Sequence, residues 1–301
     1  MQVLRLIWKT VYIPTGAGWL RAFNYRQTII WFCACTIFSS CSTYRTYTSL
    51  DKALENPAAV QRLKISNKKL GSLPAEIVQL QNLKELIIFR SRIDSLPAEI
   101  GKLKELEYLS VTSSRLQKVP PEIGQLQKLR RLSFAYNQLE SLPVEIGDLT
   151  NLYELKLNNN FLQQLPAAIG RLSSLEFLYL GENRLAAIPV EIGNLPGIRY
   201  LYIGKNALES LPVSLGNLVT LIELDLAKCG PMTEIPESLC KLRNLEVVYI
   251  DVSLFIPGCL QGRMGHFQLI VKDCRGLLIF NFIGLTFHCN FRSRKYCLCF
   301  I

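Results

Sequence analysis

A branched aliphatic residue followed by proline recurs through the middle of the chain at an almost constant interval. The spacing is 23 residues six times and 24 residues once, with the prolines at Pro74, Pro97, Pro120, Pro143, Pro166, Pro189, Pro212 and Pro236. A period of this length indicates a repeat protein, because one short segment cannot bury its own apolar face and must stack on its neighbours. We therefore predict a linear array of similar units.

Within each unit the apolar residues keep fixed offsets, as in the stretch NLYELKLNNNFLQQLP at 151–166. Leu155 and Leu157 form an L-x-L pair, whose two side chains point to the same side of a short strand. Nine such pairs predict nine stacked strands around one core: Leu63/Ile65, Leu86/Ile88, Leu109/Val111, Leu132/Phe134, Leu155/Leu157, Leu178/Leu180, Leu201/Ile203, Leu224/Leu226 and Val248/Ile250.

The unit resembles the leucine-rich repeat, in the 23-residue subtype written LPxxIGxLxxLxxLxLxxNxL. That subtype occurs in bacterial repeat proteins and in Ras-pathway scaffold proteins. The resemblance covers Val60 to Pro257 and neither end of the chain. It implies an α/β solenoid, a horseshoe with a parallel sheet on the concave face and short helical, 3-10 or irregular segments on the convex side.

Polar and small residues recur just outside the strands. Asparagine follows four strands, at Asn137, Asn160, Asn183 and Asn206, where its amide is expected to bond the backbone of the turn. Lys68, Ser91 and Ser114 hold this position in the first units, so those turns should be less well tied, and Cys229 holds it later as a buried structural thiol. Glycine follows the Glu-Ile pair, as in Glu145-Ile146-Gly147, where we expect it to permit a tight turn.

The residues between and before the strand leucines are free to vary and should face the concave surface, about 4.8 Å from their neighbours in the next unit. Aromatic residues gather in the later units, where Phe177, Tyr179, Tyr200, Tyr202 and Tyr249 are expected to form one patch. Charged residues should rim the patch: Glu154, Lys156, Arg199, Glu223 and Asp225. The predicted partner-binding site consists of these residues without Arg199, together with Tyr108, Arg131 and Tyr153 on the same face, which makes twelve.

A second interpretation of the aromatic columns stays open at this point. Tyrosine and phenylalanine favour strands, so these residues could simply cover the sheet without binding anything. The binding hypothesis predicts that the double substitution Tyr179→Ala and Tyr202→Ala removes partner binding and leaves the circular dichroism spectrum unchanged.

The net charge of +10 lies entirely in the two ends of the chain. Residues 1–50 and 258–301 each carry a net charge of +5, whereas residues 51–257 hold 23 basic and 23 acidic residues. The array therefore has no basic stripe suited to a phosphate backbone, and we expect no nucleic-acid partner. Cysteines are also concentrated in the ends, with only Cys229 and Cys240 in the array, which does not suggest a disulfide framework.

The first end, residues 1–41, is similar to a lipoprotein leader. The apolar run TIIWFCACTIF at 28–38 follows Arg21 and Arg26, and FSSC at 38–41 resembles the bacterial lipobox. By that resemblance Cys41 would be lipidated and would anchor the chain to the bacterial cell envelope. An uncleaved membrane-associated segment and a cytoplasmic protein with an unusual leader are the alternatives. Residues 42–59 should form a tether and a capping helix, with Ser49 as its cap and Pro57 as its stop.

The last end, residues 258–301, breaks the repeat and is apolar, basic and rich in cysteine. We expect it to be poorly ordered or loosely packed, and a frame-shifted reading is a further hypothesis. His266, Cys274, His288 and Cys289 lack the paired close spacing of a zinc site, so no metal is predicted.

No catalytic constellation is recognisable, and no cofactor is expected. TGAGWL at 15–20 lacks the Lys-Ser/Thr of a phosphate loop. The prediction is a monomeric, non-enzymatic module that binds a protein on its concave face, as an envelope lipoprotein. The alternative is an intracellular scaffold, similar to the Ras-type repeat proteins, that docks a small GTPase or a kinase complex.

Overall fold

The computed structural model describes residues 44–230, 234–251, 255–261, 268–273 and 276–281. The chain divides into two compact units, Met1–Tyr44 and Arg45–Ile301, and the sheet, the core and the candidate site all lie in the second. The predicted leader of residues 1–41, with Cys41, lies outside the described residues. So do His266, Cys274, His288 and Cys289.

A twelve-stranded sheet runs through the second unit, and all its neighbouring strands are parallel except the last pair. Its strands are β1 (Thr46–Tyr47), β2 (Arg62–Ser66), β4 (Glu85–Phe89), β6 (Tyr108–Thr112), β7 (Arg131–Ser133), β8 (Glu154–Lys156), β9 (Phe177–Tyr179), β10 (Tyr200–Tyr202), β11 (Glu223–Asp225), β12 (Val247–Ile250), β13 (Gln268–Asp273) and β14 (Gly276–Asn281). A separate parallel pair joins β3 (Gly71–Ser72) to β5 (Ile93–Ser95). The nine predicted strands are all confirmed.

Short 3-10 helices occupy the side opposite the sheet. Eight of them begin directly after the recurring proline. Its ring fixes φ, and its missing N–H is no loss at the start of a helix, where the first amides have no partner within the helix. Pro143, for example, has φ −68° and ψ 151°, and the next helix closes with the Leu149 amide donating to the Ile146 carbonyl. The 3-10 helices are Pro57–Ala59, Ala75–Gln79, Ala98–Lys102, Pro121–Gln125, Val144–Asp148, Ala167–Arg171, Val190–Asn194, Val213–Asn217 and Glu237–Lys241.

The core is one continuous column of aliphatic side chains between the sheet and the 3-10 helices. Leu155 and Leu157 are fully buried, as are the matching pairs of neighbouring strands. Each strand offers only two core side chains, so burial depends on the adjacent units rather than on any single one. The predicted α/β leucine-rich solenoid is confirmed.

The asparagines form a ladder that runs from one repeat to the next. The Asn160 Nδ2 donates to the carbonyls of Phe134 and Leu157, both at 2.9 Å, and its Oδ1 accepts the Leu139 amide at 3.1 Å. Each of these carbonyls also accepts a second asparagine, Asn137 for Phe134 and Asn183 for Leu157. The predicted turn bonds therefore exist, and in addition they couple neighbouring units.

In the earlier and later units other residues hold the asparagine position, as expected from the sequence. Ser91 is buried, but its Oγ makes only one donor bond, to the Phe89 carbonyl at 3.0 Å, and accepts the Lys68 amide at 3.5 Å. Cys229 is buried, and its Sγ lies 3.5 Å from the Ile203 carbonyl that Asn206 also reaches. The thiol thus takes the structural place of the amide.

The recurring glycine of the 3-10 helices has a different role from the predicted one. Among the described glycines only Gly71 and Gly230 have positive φ, so Gly147 and its equivalents need no left-handed turn. A Cβ built on Gly124 would lie 2.6 Å from the Glu145 carbonyl oxygen of the next unit. Where glycine holds this position, the backbone of the next 3-10 helix lies too close for a side chain, whereas Val78 holds it in the Ala75–Gln79 helix.

The first end of the array is closed by β1 and by helix α1, Leu50–Leu54. This helix agrees with the sequence prediction, and Ser49 does stand at its N-cap position with extended φ and ψ. However, Ser49 makes no side-chain capping bond to the backbone. Its Oγ instead donates to an Asp51 carboxylate oxygen at 3.4 Å, which corrects the predicted role.

At the other end the sheet continues beyond Pro257. Strand β13 pairs in parallel with β12, and β14 then pairs antiparallel with β13. Helix α2, Gly258–Gln261, lies before them, and a disulfide joins Cys259 in this helix to Cys240, with Cα atoms 5.8 Å apart. The sequence indicated neither the extra strands nor the disulfide. No helix within the described ranges is long and apolar enough to cross a membrane.

Candidate functional site

Strand pairing aligns the variable residues of successive units into columns, as predicted. Phe177 pairs with Tyr200, which pairs with Glu223, and Tyr179 pairs with Tyr202, which pairs with Asp225. Because side chains alternate along a strand, these residues face solvent while Leu178 and Leu201 between them are fully buried. The concave face between β8 and β12 therefore carries the predicted aromatic patch.

The aromatic side chains form two parallel stacks rather than one cluster. Phe177 and Tyr200 stack with ring centroids 4.6 Å apart and planes 4° from parallel, and Tyr153 packs edge-on against Phe177 at 5.1 Å. Tyr179 and Tyr202 form the second stack at 4.9 Å and 8°. Contacts of this kind add about 0.5–1.5 kcal/mol beyond area burial, so they hold the rings in place. We call these five residues the aromatic platform.

Glu223 lies within the patch, not at its rim as predicted. Its carboxylate accepts hydrogen bonds from the hydroxyls of Tyr202 and Tyr249. Strand β11 places Glu223 between β10 and β12, so one carboxylate ties the aromatic platform to Tyr249. The predicted link between Tyr249 and the other aromatics is thus made through an acid rather than through ring contact.

Ion pairs border the aromatic platform on its other sides. Lys156 Nζ lies 2.7 Å from the Glu154 carboxylate and 5.1 Å from the Tyr179 ring centroid. Arg199 reaches the Glu176 carboxylate at 3.7 Å. Glu154, Lys156 and Arg199 therefore form the rim that the sequence predicted, and a lysine already makes a cation–π contact with the platform.

Tyr108 and Arg131 form a second, smaller pair on the same face. The Arg131 guanidinium carbon lies 4.3 Å from the Tyr108 ring centroid. These residues are on β6 and β7, whereas the platform is carried mainly by β9 and β10. Of the twelve predicted site residues, five thus form the platform, five lie on the strands beside it and two form this separate pair.

A shallow pocket of about 700 Å³ opens beside the aromatic platform. It shares Tyr153 with the platform and is lined by Glu107, Lys128, Arg130, Asn151, Tyr153, Ser173, Ser174, Glu176 and Gly197. Most of these residues precede the strands, and of them only Tyr153 belongs to the predicted site. Four of them lie in one column, two residues before the first strand leucine, and this column was the signal that could have identified them: Glu107, Arg130, Tyr153 and Glu176.

Burial and nearby carboxylates keep the platform tyrosines protonated. Burial, with smaller contributions from Glu154 and Glu223, raises the pKa of Tyr179 to about 12. Burial and then the Glu223 charge raise the pKa of Tyr249 to about 12, and the same causes raise the pKa of Tyr202. At neutral pH these hydroxyls are therefore hydrogen-bond donors.

We predict that Tyr179 ionises near pH 12 in the folded protein, and not at the ordinary value of about 10. The measurement is an ultraviolet titration of tyrosinate, taken as the difference between the wild type and Tyr179→Phe. Because an unfolded tyrosine ionises first, the folded state should lose stability as pH rises from about 10 to about 12. A difference curve centred near pH 10 would contradict the described burial.

The described part of the chain contains no cluster of three or more histidine, cysteine, aspartate or glutamate side chains suited to a metal ion. Cys229 is the free cysteine of these residues, and burial raises the pKa of its thiol to about 12. A thiol held in its neutral form is a poor nucleophile, which fits its structural position.

Comparison with known proteins gives a consistent picture of the array. A family profile described as leucine-rich repeat region matches residues 83–159 and again 121–197. A leucine-rich repeat protein of Leptospira interrogans superposes with a TM-score of 0.64 and 33% sequence identity, over 75% of this chain and 58% of that chain. No curated protein sequence matches at a significant level.

More distant structures share the fold. The plant peptide hormone receptor RGFR1, solved in complex with RGF2, has a TM-score of 0.56 and 26% identity over 69% of this chain and 34% of that chain. An internalin of Listeria monocytogenes has a TM-score of 0.52 and 22% identity over 70% of this chain and 66% of that chain. This chain thus spans little more than half of the Leptospira protein and about a third of the plant receptor.

Proposed function

Since this chain belongs to the leucine-rich repeat family, we propose that it is a non-enzymatic module that binds a protein partner on its concave face. The observation that carries the proposal is the aromatic platform, two ring stacks held on the solvent side of β8–β10. Ordered aromatic side chains bordered by charges are typical of binding hot spots, because they bury much area at little entropic cost.

Two further observations support this role for the concave face. The leucine-rich repeat fold is used widely for protein binding, and the plant peptide hormone receptor was solved in complex with RGF2. The platform side chains are half-buried rather than covered, so part of each is accessible to a partner.

The test compares which proteins the wild type and two variants retain from the cells that make it. We expect Tyr179→Ala with Tyr202→Ala to lose the specific partner while its circular dichroism spectrum stays the same, because neither ring contributes to the core. The matched control is Val190→Ala with Val213→Ala, whose side chains are 62% and 71% exposed on the convex side. Equal capture by all three proteins would contradict the proposal.

We also propose that the protein acts outside the cytoplasm, as a lipoprotein anchored through Cys41. The Cys240–Cys259 disulfide supports an oxidising location, because such bonds are rare in cytosolic proteins. The same observation weighs against the alternative of an intracellular Ras-type scaffold. The intact mass of the protein isolated from its own cells tests this proposal. A chain that begins at Cys41 with added lipid would support it, and a lipid-free chain that keeps earlier residues would overturn it.

A further inference from the structure

Charge is unevenly distributed along the array, although its total is close to neutral. Residues 60–140 contain 14 basic and eight acidic residues, whereas residues 141–257 contain eight basic and 13 acidic residues. The first part therefore has a net charge of +6 and the second of −5. A partner that lies along the concave face meets opposite potentials at its two ends.

On the concave face, the negative charge is concentrated on and beside β11 and β12. Lys156 and Arg199 lie close to Glu154 and Glu176, so these four charges balance locally. In this second part of the array the remaining acids before and between the strand leucines, or just after the strands, are Glu223, Asp225, Glu246 and Asp251. Of these, Asp225 accepts the Ala227 amide and Asp251 accepts the Lys228 amide. Burial raises the pKa of Tyr200, Arg199 lowers it, and Glu223 and Glu246 add smaller raising effects, so these acids lie near the aromatic platform.

Glu223 is held in a fixed position by two phenol donors. The hydroxyls of Tyr202 and Tyr249 both donate to its carboxylate. A carboxylate has about four lone-pair directions, so it can accept from a ligand donor as well as from phenol hydroxyls. A fixed anion beside ring faces is well suited to an alkylammonium or guanidinium group, which is attracted by both.

Glycine lies next to the platform, where the backbone packs closely against the neighbouring unit. Gly181 and Gly204 follow β9 and β10 in the column beside Tyr179 and Tyr202. At Gly204 a Cβ would lie 2.7 Å from the Ala227 carbonyl oxygen and 3.0 Å from the Asp225 carboxylate, so glycine here gives the Asp225 carboxylate its place beside the platform. The Lys156 ammonium over Tyr179 shows that the platform accommodates a cation at its other edge.

From this arrangement we propose that the partner inserts a basic segment, with a lysine or arginine side chain placed between Glu223, Asp225 and the rings of Tyr202 and Tyr249. The inference rests on the proposed protein-binding function of this face and specifies the chemistry of the partner. Charge complementarity selects a basic peptide segment over an acidic or purely apolar one.

The probe is fluorescein-labelled octalysine, and the measurement is fluorescence anisotropy at low ionic strength. We expect octalysine to bind the wild type, and Glu223→Gln with Asp225→Asn to weaken that binding by roughly tenfold or more, since both anions next to the rings are removed. The matched control, Glu191→Gln with Glu209→Gln, removes the same charge from residues outside the strands and should bind like the wild type. Labelled octaglutamate should not bind.

Two outcomes would overturn the inference: octalysine that fails to bind the wild type, or octalysine that binds both double variants equally. Either failure is distinguishable from a failure of the proposed function. If Tyr179→Ala with Tyr202→Ala still loses the cellular partner, the concave face binds a partner of other chemistry. If that variant keeps its partner, the proposed site itself is wrong whatever octalysine does.

Discussion

Replacing Asn160 by alanine should lower the free energy of unfolding by about 2–4 kcal/mol, because it leaves buried backbone groups without partners. The Leu139 amide loses the Oδ1 acceptor that lies 3.1 Å away. The carbonyls of Phe134 and Leu157 each lose one donor but keep a second, from Asn137 and Asn183. The largest cost therefore comes from the orphaned amide and from the space the side chain leaves.

Urea denaturation followed by circular dichroism measures this change. The control is Asn158→Ala, two residues earlier, where the side chain is half-buried on the concave face and the ladder is untouched. We expect Asn158→Ala to shift the unfolding midpoint only slightly. If the two variants unfold at the same urea concentration, the asparagine ladder does not stabilise the array as described.

Replacing Gly124 by alanine should cost about 1–3 kcal/mol or more, although alanine normally favours helical segments. The added Cβ would lie 2.6 Å from the Glu145 carbonyl oxygen and 2.9 Å from the Glu145 Cβ. The clash can be relieved only if one 3-10 helix moves away from the next, because the Glu145 carbonyl oxygen is a backbone atom. Such a shift would disturb packing in both units.

Gly197→Ala is the matched control for this substitution. Its Cβ would lie 3.4 Å from the Leu175 carbonyl oxygen, an ordinary van der Waals contact. Thermal unfolding of the two variants should show a lower midpoint for Gly124→Ala and one close to the wild type for Gly197→Ala. A Gly124→Ala protein as stable as the wild type would show that the helices have room to separate.

The core and the strand register could be predicted from the sequence because both follow from periodicity alone. Leu155 and Leu157 have aliphatic or aromatic equivalents in every unit, and a strand alternates its side chains with a period of two, so the opposite column had to face solvent. The asparagine positions were equally accessible. Each unit repeats the same environments, so one sequence contains several examples of each position.

Features that depend on the distance between units could not be predicted. Shared carbonyls and close helix contacts arise only once the units are stacked, which is why the sequence suggests a turn and not a close approach for Gly124. Sequence reasoning also misses the left-handed residues after the strands, with φ between 51° and 59° at Asn67, Arg90, Ser113, Tyr136, Asn159, Glu182, Lys205 and Lys228. Their varied types conceal a shared conformation that the stacked fold imposes.

The candidate site could be predicted in composition but not in arrangement. The columns placed Tyr179 beside Tyr202, whereas nothing in the sequence indicated that Glu223 would receive two phenol hydroxyls. The Cys240–Cys259 disulfide joins the array to residues beyond it, where the repeat register no longer guided any expectation. Side-chain rotamers and contacts outside the repeat can therefore be learned only from the structure.

Photocrosslinking in the native cells tests the central claim, that the concave aromatic face binds the partner. A benzoyl-phenylalanine placed at Tyr200 keeps an aromatic ring in the stack with Phe177, and the same residue at Val190 probes the convex side. We predict that the Tyr200 position crosslinks a discrete protein and the Val190 position does not. A crosslink from Val190 without one from Tyr200 would contradict the account and place the binding surface on the opposite side.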